Sequence, residues 1–377
     1  MLNINKTLGI TKVKFTPQFY KKVIERYRYG YMREITALFE QAETDSYVIG
    51  TKNGRIAGFQ RDWRISPFSE SSIDKSIATF AESVFLNLNM RRLFRYIFDA
   101  KMKSFSVIEL TWQIKDQQRV VTNIKKIDQK YFRIDKDDDD KIKIDNSGKF
   151  IEISEEEALV CQNDELPILI GVLRDYILKE FGLESWASFI EIFGEAFVFG
   201  KYPSGADENF KKSLEEGINA IAASTKGIIP DGTEVQIIES GRSTGDQQAF
   251  IKNANLGIAI TILGHANAAE DSAGLKVGDN QSSFRARREL TIDDILFIEE
   301  YVTVLMKLII SQNFNTKNFP VFSIDKSEPI NVTERLQILS QAYEQGYKIN
   351  PDEYAKLGLY KYPDQEPLIK EFGGFLD

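Results

Sequence analysis

The run with the most obvious chemical potential is Asp135-Lys-Asp137-Asp-Asp139-Asp-Lys-Ile-Lys-Ile-Asp-Asn146, where carboxylates alternate as they do in a calcium loop. A calcium loop of that type needs Gly at its sixth place for a sharp turn and a bidentate Glu at its twelfth. Asp140 and Asn146 occupy those places, so the run reads as a solvated turn between two strands. Residues 194–201 resemble a phosphate loop. Five residues separate the glycines rather than four, however, and Tyr202 stands where a magnesium-binding hydroxyl belongs. Gly200 is better explained by tight backbone in or after a strand.

His265 is the sole histidine and Cys161 the sole cysteine. One histidine excludes metal sites that need two, and one cysteine excludes an internal disulfide framework or a cysteine-rich zinc site. His265 follows Gly264 at a predicted helix end, where a capping or interface role fits. Ser154-Glu-Glu-Glu157 has capping-box spacing, although Leu159-Val160-Cys161 after it reads equally well as a strand. No paired acids and no Ser/His/Asp arrangement stand out, so the motifs argue against an enzyme, and neither a metal nor a cofactor is expected.

Composition narrows the class further. The 377 residues carry 48 Lys+Arg against 56 Asp+Glu, a formal charge of −8, and are 42% hydrophobic, ordinary for a globular chain and too apolar for a disordered one. The length corresponds to two or three modules. The N-terminus lacks an apolar signal core, and the most apolar stretch, 301–310, contains Lys307, so a soluble protein of a reducing compartment is expected. Proteins that grip nucleic acid tightly are basic or carry a strong basic patch. Here no basic run is longer than Lys125-Lys126 or Arg287-Arg288, with Arg285 nearby, so any contact with DNA should be loose.

The elements that must position these residues follow from periodicity. Pro17 suits a first helical position after Thr16, with Phe19, Tyr20, Val23, Ile24 and Tyr27 on one face. Met32, Ile35, Leu38 and Phe39 predict a second helix. Ser71 or Ser72 caps another with Ile73, Ile77, Phe80, Val84 and Phe85 inward, and a further helix carries Leu93, Phe94, Ile97 and Phe98. Residues 106–115 alternate as a half-buried strand with Ile108, Leu110, Trp112 and Ile114 on one side, and Asp116-Gln117-Gln118 turns into a second strand, within a β-rich patch over 105–153. Leu166, Ile170, Leu173, Ile177 and Phe181 restore the helical period, which continues through Trp186 to Phe193 with a break or kink expected at Gly182. A small α/β module over 196–240 follows: strands 196–202, 227–229 and 233–238 and a helix bearing Phe210, Leu214, Ile218 and Ile221. Then come a helix over 246–263, a polar Gly/Ala/Asn/Ser-rich segment over 264–283, a long helix over 284–313, and a tail helix started by Asn331 or Thr333.

The order of these pieces resembles the portal proteins of Mu-like tailed phages and prophages, from about Glu43 to Gly358. The matching strings are Thr44-Asp-Ser-Tyr-Val-Ile-Gly-Thr-Lys-Asn-Gly-Arg55 with Asp62-Trp63-Arg64-Ile65; Phe98-Asp-Ala100 through Glu109 and Trp112; Ile127-Asp128; and Tyr131-Phe-Arg-Ile-Asp135. The central string is Trp186-Ala-Ser-Phe-Ile-Glu191, Phe193-Gly194 and Gly200-Lys201-Tyr202, continued by Gly227-Ile-Ile-Pro230-Asp-Gly232 with Val235 and Ile237, then Leu263-Gly264, Gly278, Arg285–Arg288, Leu290, Asp293-Asp294 and Asn313-Phe314. Two departures are visible: Gly194-Glu-Ala-Phe lacks the proline frequent in the family, and a single Gly171 stands in for a glycine-rich turn before the central helix.

The resemblance implies an α+β portal fold. It divides into an N-terminal wing over 1–165, helical and then β-rich; stem helix 1 over 166–195; a small α/β clip over 196–242; stem helix 2 over 243–263; a tunnel loop over 264–283; a long wing helix and return strand over 284–327; and a short C-terminal crown over 328–377. It further implies a homo-oligomeric ring, usually of twelve subunits, at one capsid vertex of the virion, assembled in host cytoplasm. The ring would be a channel for double-stranded DNA, held loosely, and would dock the terminase large subunit, a head–tail adaptor and the major capsid or scaffold proteins, without a membrane. Lys276, Asn280 and Gln281 are the expected DNA-facing residues of the tunnel loop. Arg285, Arg287 and Arg288 are expected at a subunit interface or the channel, and Lys211, Lys212, Glu215 and Glu216 at the motor contact. The competing readings are another ring-forming head–tail connector, a metal-dependent phosphodiesterase built on the acidic run, and a peripheral interaction protein without a ring.

Overall fold

The computed structural model describes residues 17–146, 148–193, 197–201, 204–224, 234–238, 245–264, 280–327 and 332–346. The chain divides into two units, Met1–Asp325 and Lys326–Asp377; of the second the described part is chiefly the helix α10 (Val332–Glu344). The first unit opens with α1 (Pro17–Arg28), α2 (Arg33–Ala42) and α3 (Ser46–Phe59), then β1 (Trp63–Ser66), α4 (Ser72–Leu86) and α5 (Met90–Lys103). Side chains start three of these helices. Asp45 Oδ1 accepts from the Tyr47 and Val48 amides, Ser71 Oγ from Asp74 N, and Asn89 Oδ1 from Arg92 N.

The β-rich patch forms two antiparallel sheets. One pairs β2 (Phe105–Lys115) with β3 (Gln118–Ile127) and with β7 (Ala158–Gln162). The other runs β4 (Phe132–Asp135), β5 (Lys141–Asn146) and β6 (Lys149–Ile151). Asp116 and Gln117 take positive φ (49° and 63°) and close the β2–β3 hairpin as a two-residue loop. The alternation expected of 106–115 is only half kept. Phe105 to Ile108 are buried on both faces, a bulge between Thr111 and Trp112 shifts the register, and Ile114 is exposed beside the turn. Residues 154–157 form a turn, and Leu159-Val160-Cys161 belong to β7. Ile73, expected inward, is exposed, while Ile77, Phe80, Val84 and Phe85 are buried as their spacing requires.

Next come α6 (Ile168–Phe193), β8 (Phe197–Lys201), α7 (Glu208–Ser224), β9 (Glu234–Ile238), α8 (Gly245–Leu263), α9 (Asn280–Ser311) and β10 (Val321–Ile324). β8 pairs antiparallel with β9, placing Gly200 inside a strand, and β10 returns to pair with β1. The strand and turn expected over 227–232 lie outside the described residues. Helix α6 runs through Gly182 without interruption. A Cβ there would sit 2.7 Å from Phe250 on α8, one on Gly171 2.8 Å from Thr261, and one on Gly257 inside the Asp175 carboxylate. These glycines permit close antiparallel packing of α6 on α8, rather than a kink at Gly182 or a turn at Gly171. The long helix begins at Asn280 rather than at about 284, so Asn280 and Gln281 belong to its first turn and not to a loop.

The core lies where α2, α3, α5 and α9 meet the β2–β3–β7 sheet, and Phe39, Phe59, Phe94, Phe98 and Phe105 are fully buried in it. Gly30 fixes one edge: its φ is +84°, its carbonyl accepts from Ile134 N at 3.1 Å, and any Cβ would collide with the Ile134 carbonyl. Gly148 has a similar φ of +90° but open space around it. Alanine in the left-handed region costs about 1–2 kcal/mol. Gly148→Ala should lose no more than that, and Gly30→Ala clearly more because backbone must move; thermal melting of the two variants side by side checks the order.

Candidate functional site

The arrangement that organises the candidate site is the junction where α8 ends and α9 begins, on either side of residues 265–279. Helix α8 stops at Gly264, whose φ of +77° and amide bond to Ile260 O (2.9 Å) make a left-handed C-terminal cap. A Cβ on Gly264 would lie 2.5 Å from Leu290 of α9, so the end of α8 rests directly on the neighbouring helix.

Arg55 ties this junction to the rest of the core. Its Nη1 donates to the Ile262 carbonyl (2.7 Å), while Nε and Nη2 donate to Asp294 Oδ2 and Oδ1 at 2.7 and 2.9 Å. The last turn of α8 and the second half of the junction, on α9, thus hang on one guanidinium carried by α3. Asp294 has no solvent exposure and also receives Lys101 Nζ at 3.0 Å, from α5; Lys101 pairs in addition with Asp293. The guanidinium lies 5.4 Å from the centroid of the Phe98 ring. A bidentate arginine–carboxylate pair suits this place because the planar fork satisfies both oxygens at once.

A second ionic cluster extends the same layer. Lys52 pairs with Glu43 (2.5 Å) and Asp99 (3.2 Å), Lys103 with Glu43 (2.6 Å), and Lys126 of β3 with Asp99. Burial would push the Asp99 carboxyl up, but Lys126, Lys52 and Lys103 outweigh it and hold its pKa at about 2. Lys179 of α6 reaches Asp45 (2.6 Å), whose other oxygen caps α3. Helix α6 is therefore pinned to the same helix that carries Arg55.

The expected site residues fall as follows. Lys276 and His265 lie outside the described residues. The side chains of Asn280, Gln281 and Arg285 do too, although their backbones belong to the start of α9. Arg287 and Arg288 are exposed one to two turns further on, with Arg287 Nη2 3.5 Å from the Gly54 carbonyl of α3. Lys212, Glu215 and Glu216 are exposed on α7, and Lys211, half-buried, pairs with Glu208 at 2.9 Å; Leu214 is buried beneath them. The structure does not bring the α7 and α9 groups together; they sit on separate elements. Sequence reasoning missed Arg55, whose partners lie more than 200 positions away.

The acidic run is a β4–β5 turn in which lysines take up the carboxylates of Asp135, Asp138 and Asp140. Lys143 Nζ bridges Asp135 (3.0 Å), Asp138 (2.6 Å) and Glu152 (3.2 Å), Lys136 holds Asp140, and Lys141 holds Asp138. Among the described residues no cluster of three or more His, Cys, Asp or Glu side chains is placed to hold a metal ion. Cys161 is buried in β7, where burial pushes its thiol pKa well up, away from nucleophilic use. Among the described residues no helix is long and apolar enough to cross a membrane.

Two outcomes follow from these ion pairs. Asp294→Asn leaves the buried Arg55 guanidinium without its carboxylate, while Lys101 keeps Asp293, and should cost about 3–5 kcal/mol of stability, whereas Arg55→Met combined with Asp294→Leu should cost much less than the two single changes added together; melting temperatures of all three variants read this directly. Asp99 has a folded pKa of about 2 against an ordinary 3.8, so its stabilisation is complete above about pH 4 and is lost as pH falls through 2. Melting curves from pH 5 downward should fall less steeply for Asp99→Asn than for the unaltered chain.

A family model described as the portal protein of Mu bacteriophage matches residues 36–359. The portal protein of Escherichia phage Mu is 23% identical over 275 residues, covering 68% of this chain and 52% of that one. The Mu-like prophage FluMu protein gp29 of Haemophilus influenzae is 31% identical over 100 residues, 25% of this chain and 19% of that one. The chain thus spans at most about half the length of these relatives. Among solved structures, a chain of the virion of a native gene transfer agent particle superimposes with a TM-score of 0.60 at 11% identity, covering 88% of this chain and 94% of that one. A chain from the neck of the native particle computed with C12 symmetry gives 0.57, with the same identity and coverage. These likenesses establish the fold, and with a family match that runs from α2 through the α6–α8 hairpin and the Arg55 junction to beyond α10, the chain belongs to the portal protein family of Mu-type phages.

Proposed function

We propose that this chain is the subunit of a portal ring of twelve copies at one capsid vertex, surrounding a channel through which double-stranded DNA is packaged and later released. The observation that carries this reading is the antiparallel α6–α8 hairpin. Gly171 lies against Thr261 and Gly182 against Phe250, so the β8–α7–β9 module and the 265–279 segment belong to opposite ends of one helical rod. At 1.5 Å per residue the 19 residues of α8 span roughly 28 Å. A rod with a docking module at one end and a segment anchored at the other is what a conduit subunit needs.

In this reading the β8–α7–β9 module is the clip, and Lys211, Lys212, Glu215 and Glu216 face the terminase large subunit during packaging and a head–tail adaptor afterwards. The segment after α8, with Lys276 in it and Asn280 and Gln281 on the adjoining first turn of α9, meets the DNA. Arg285, Arg287 and Arg288 pair with carboxylates of a neighbouring subunit, and the wing faces capsid or scaffold proteins. The role is mechanical rather than catalytic, the place of action is the virion, and assembly occurs in host cytoplasm. The net charge of −8 supports weak contact with the duplex, because tight phosphate binding would brake translocation in both directions.

Native mass spectrometry and negative-stain imaging of the purified chain should show closed rings with an open centre. Excision of 268–278, which leaves the α9 helix whole, should preserve those rings while reducing DNA packaging or retention. A chain that stays monomeric at working concentration and in its particle overturns the ring; rings that package normally without the segment overturn its role.

A further inference from the structure

Helices α2 and α5, strands β2 and β3 and the short turn after β3 enclose a polar cavity of about 200 Å³ that plays no part in the portal reading. Three of its lining side chains are almost wholly buried: Thr36 is 3% exposed, Ser106 1% and Gln129 6%. Their oxygens Thr36 Oγ1, Ser106 Oγ and Gln129 Oε1 have no hydrogen-bond partner within the chain. Buried polar atoms are normally satisfied, and three orphans on one cavity wall mark a place built around something polar. The orientation of Gln129 is fixed by its amide, which donates to the Lys103 and Phe105 carbonyls, so the atom left over is the acceptor. Glu40 is solvent-exposed and stands at the open side of the same cavity.

Charge decides the class of occupant. Lys126 and Lys52 are engaged by Asp99, Lys103 by Glu43, and Lys130 by Asp128. Counting Glu40, the ammonium and carboxylate groups around the cavity balance. An anion therefore finds no ammonium without a carboxylate, and a divalent ion meets several lysines with no surplus of acid to offset them. What remains unmet is three buried oxygens, two hydroxyls and an amide carbonyl, beside the exposed Glu40 carboxylate, all able to give electron pairs to a hard ion. With a water occupying about 30 Å³, the cavity has room for such an ion and part of its hydration shell.

We propose that this cavity binds a partly hydrated monovalent hard cation, sodium or potassium, through Thr36 Oγ1, Ser106 Oγ, Gln129 Oε1 and the Glu40 carboxylate. Bound there, the ion fastens α2 to β2 and to the turn after β3, locking the helical layer to the sheet. The inference stands independently of the portal reading, because it concerns the folded subunit alone.

The test uses the full chain in sodium, potassium and choline chloride at equal ionic strength, about 0.15 M so that general screening is matched. The melting temperature should be higher in one of the alkali salts by roughly 2 °C, since binding to the folded state alone raises stability. Gln129→Met, which keeps the volume and removes the carbonyl, should abolish the difference. Because that variant can fail to fold, crystals of the unaltered chain soaked in thallium(I), a potassium mimic, supply the second measurement: an anomalous peak in the cavity is expected. Absence of that peak, leaving water only, overturns the proposal whatever the melting curves show, as does stabilisation by calcium or magnesium with none by sodium or potassium.

Discussion

Asp294 is a carboxylate with no contact with solvent, held by a guanidinium from a residue 239 positions earlier in the chain. Taking two such charges out of water is expensive, and attraction repays it only when the geometry is good and every remaining lone pair is used. Here the fork is bidentate and both Asp294 oxygens are engaged. The Asp294 oxygens take Arg55 in bidentate fashion and then Lys101, and the third guanidinium nitrogen is spent on the Ile262 carbonyl at the end of α8. Apolar packing between helices tolerates small rotations and sliding; a fork-to-fork pair with a third partner does not. The junction of α3, α5, α8 and α9 therefore has one relative placement, and the fold around it inherits that placement.

The second ionic layer applies the same constraint to the sheet. Asp99 on α5 is shared by Lys52 of α3 and Lys126 of β3, and Glu43 is shared by Lys52 and Lys103. Asp99, Glu43 and Lys52 each serve two partners, so losing any of these three disturbs more than one pair. The glycines of α6 and α8 work differently: they bring backbones close, so that the rod stiffens through contact area while Lys179 anchors α6 to the cap of α3. Stiffness along the rod comes from close approach, and its attachment comes from charge.

Much of this was legible in the residues. The hairpin at Asp116-Gln117, the helix start at Pro17, the α6–module–α8 order and the acidic run as a turn between strands all follow from local rules, because turns, caps and periodicity are decided by neighbours in sequence. The failures share the opposite cause. Gly182 reads as a helix breaker until Phe250 is seen filling the space its missing side chain leaves, and Gly171 reads as a turn until Thr261 is seen doing the same. Ile73 and Ile114 fit an inward face by period but lie where the packing ends or where a bulge has shifted the strand. Arg55 looks like one more surface base in a helix of weak amphipathic pattern; nothing within twenty residues reveals that its partners are Ile262 and Asp294. The polar, aperiodic stretch before α9 gave no sign that Asn280 and Gln281 were already helical.

The placement of charge explains how a conduit can be firm in its frame and loose in its grip. Under the proposed role, the moving polymer loads the segment between α8 and α9, and that load arrives at Gly264 and at the first turns of α9. From there the structure offers it a short path: Gly264 bears on Leu290, Ile262 and Asp294 bear on Arg55, and Arg55 transmits to α3, which Lys179 and Asp45 couple back to the stem. The strong, desolvated pairs lie along this path, while Arg287 and Arg288 stay exposed, where salt screens their attraction for phosphate. A dense basic lining would hold the duplex by neutralising many phosphates at once, and it would then stop the polymer it is meant to pass. Burying the strong interactions in the frame and leaving the exposed ones weak separates the two tasks.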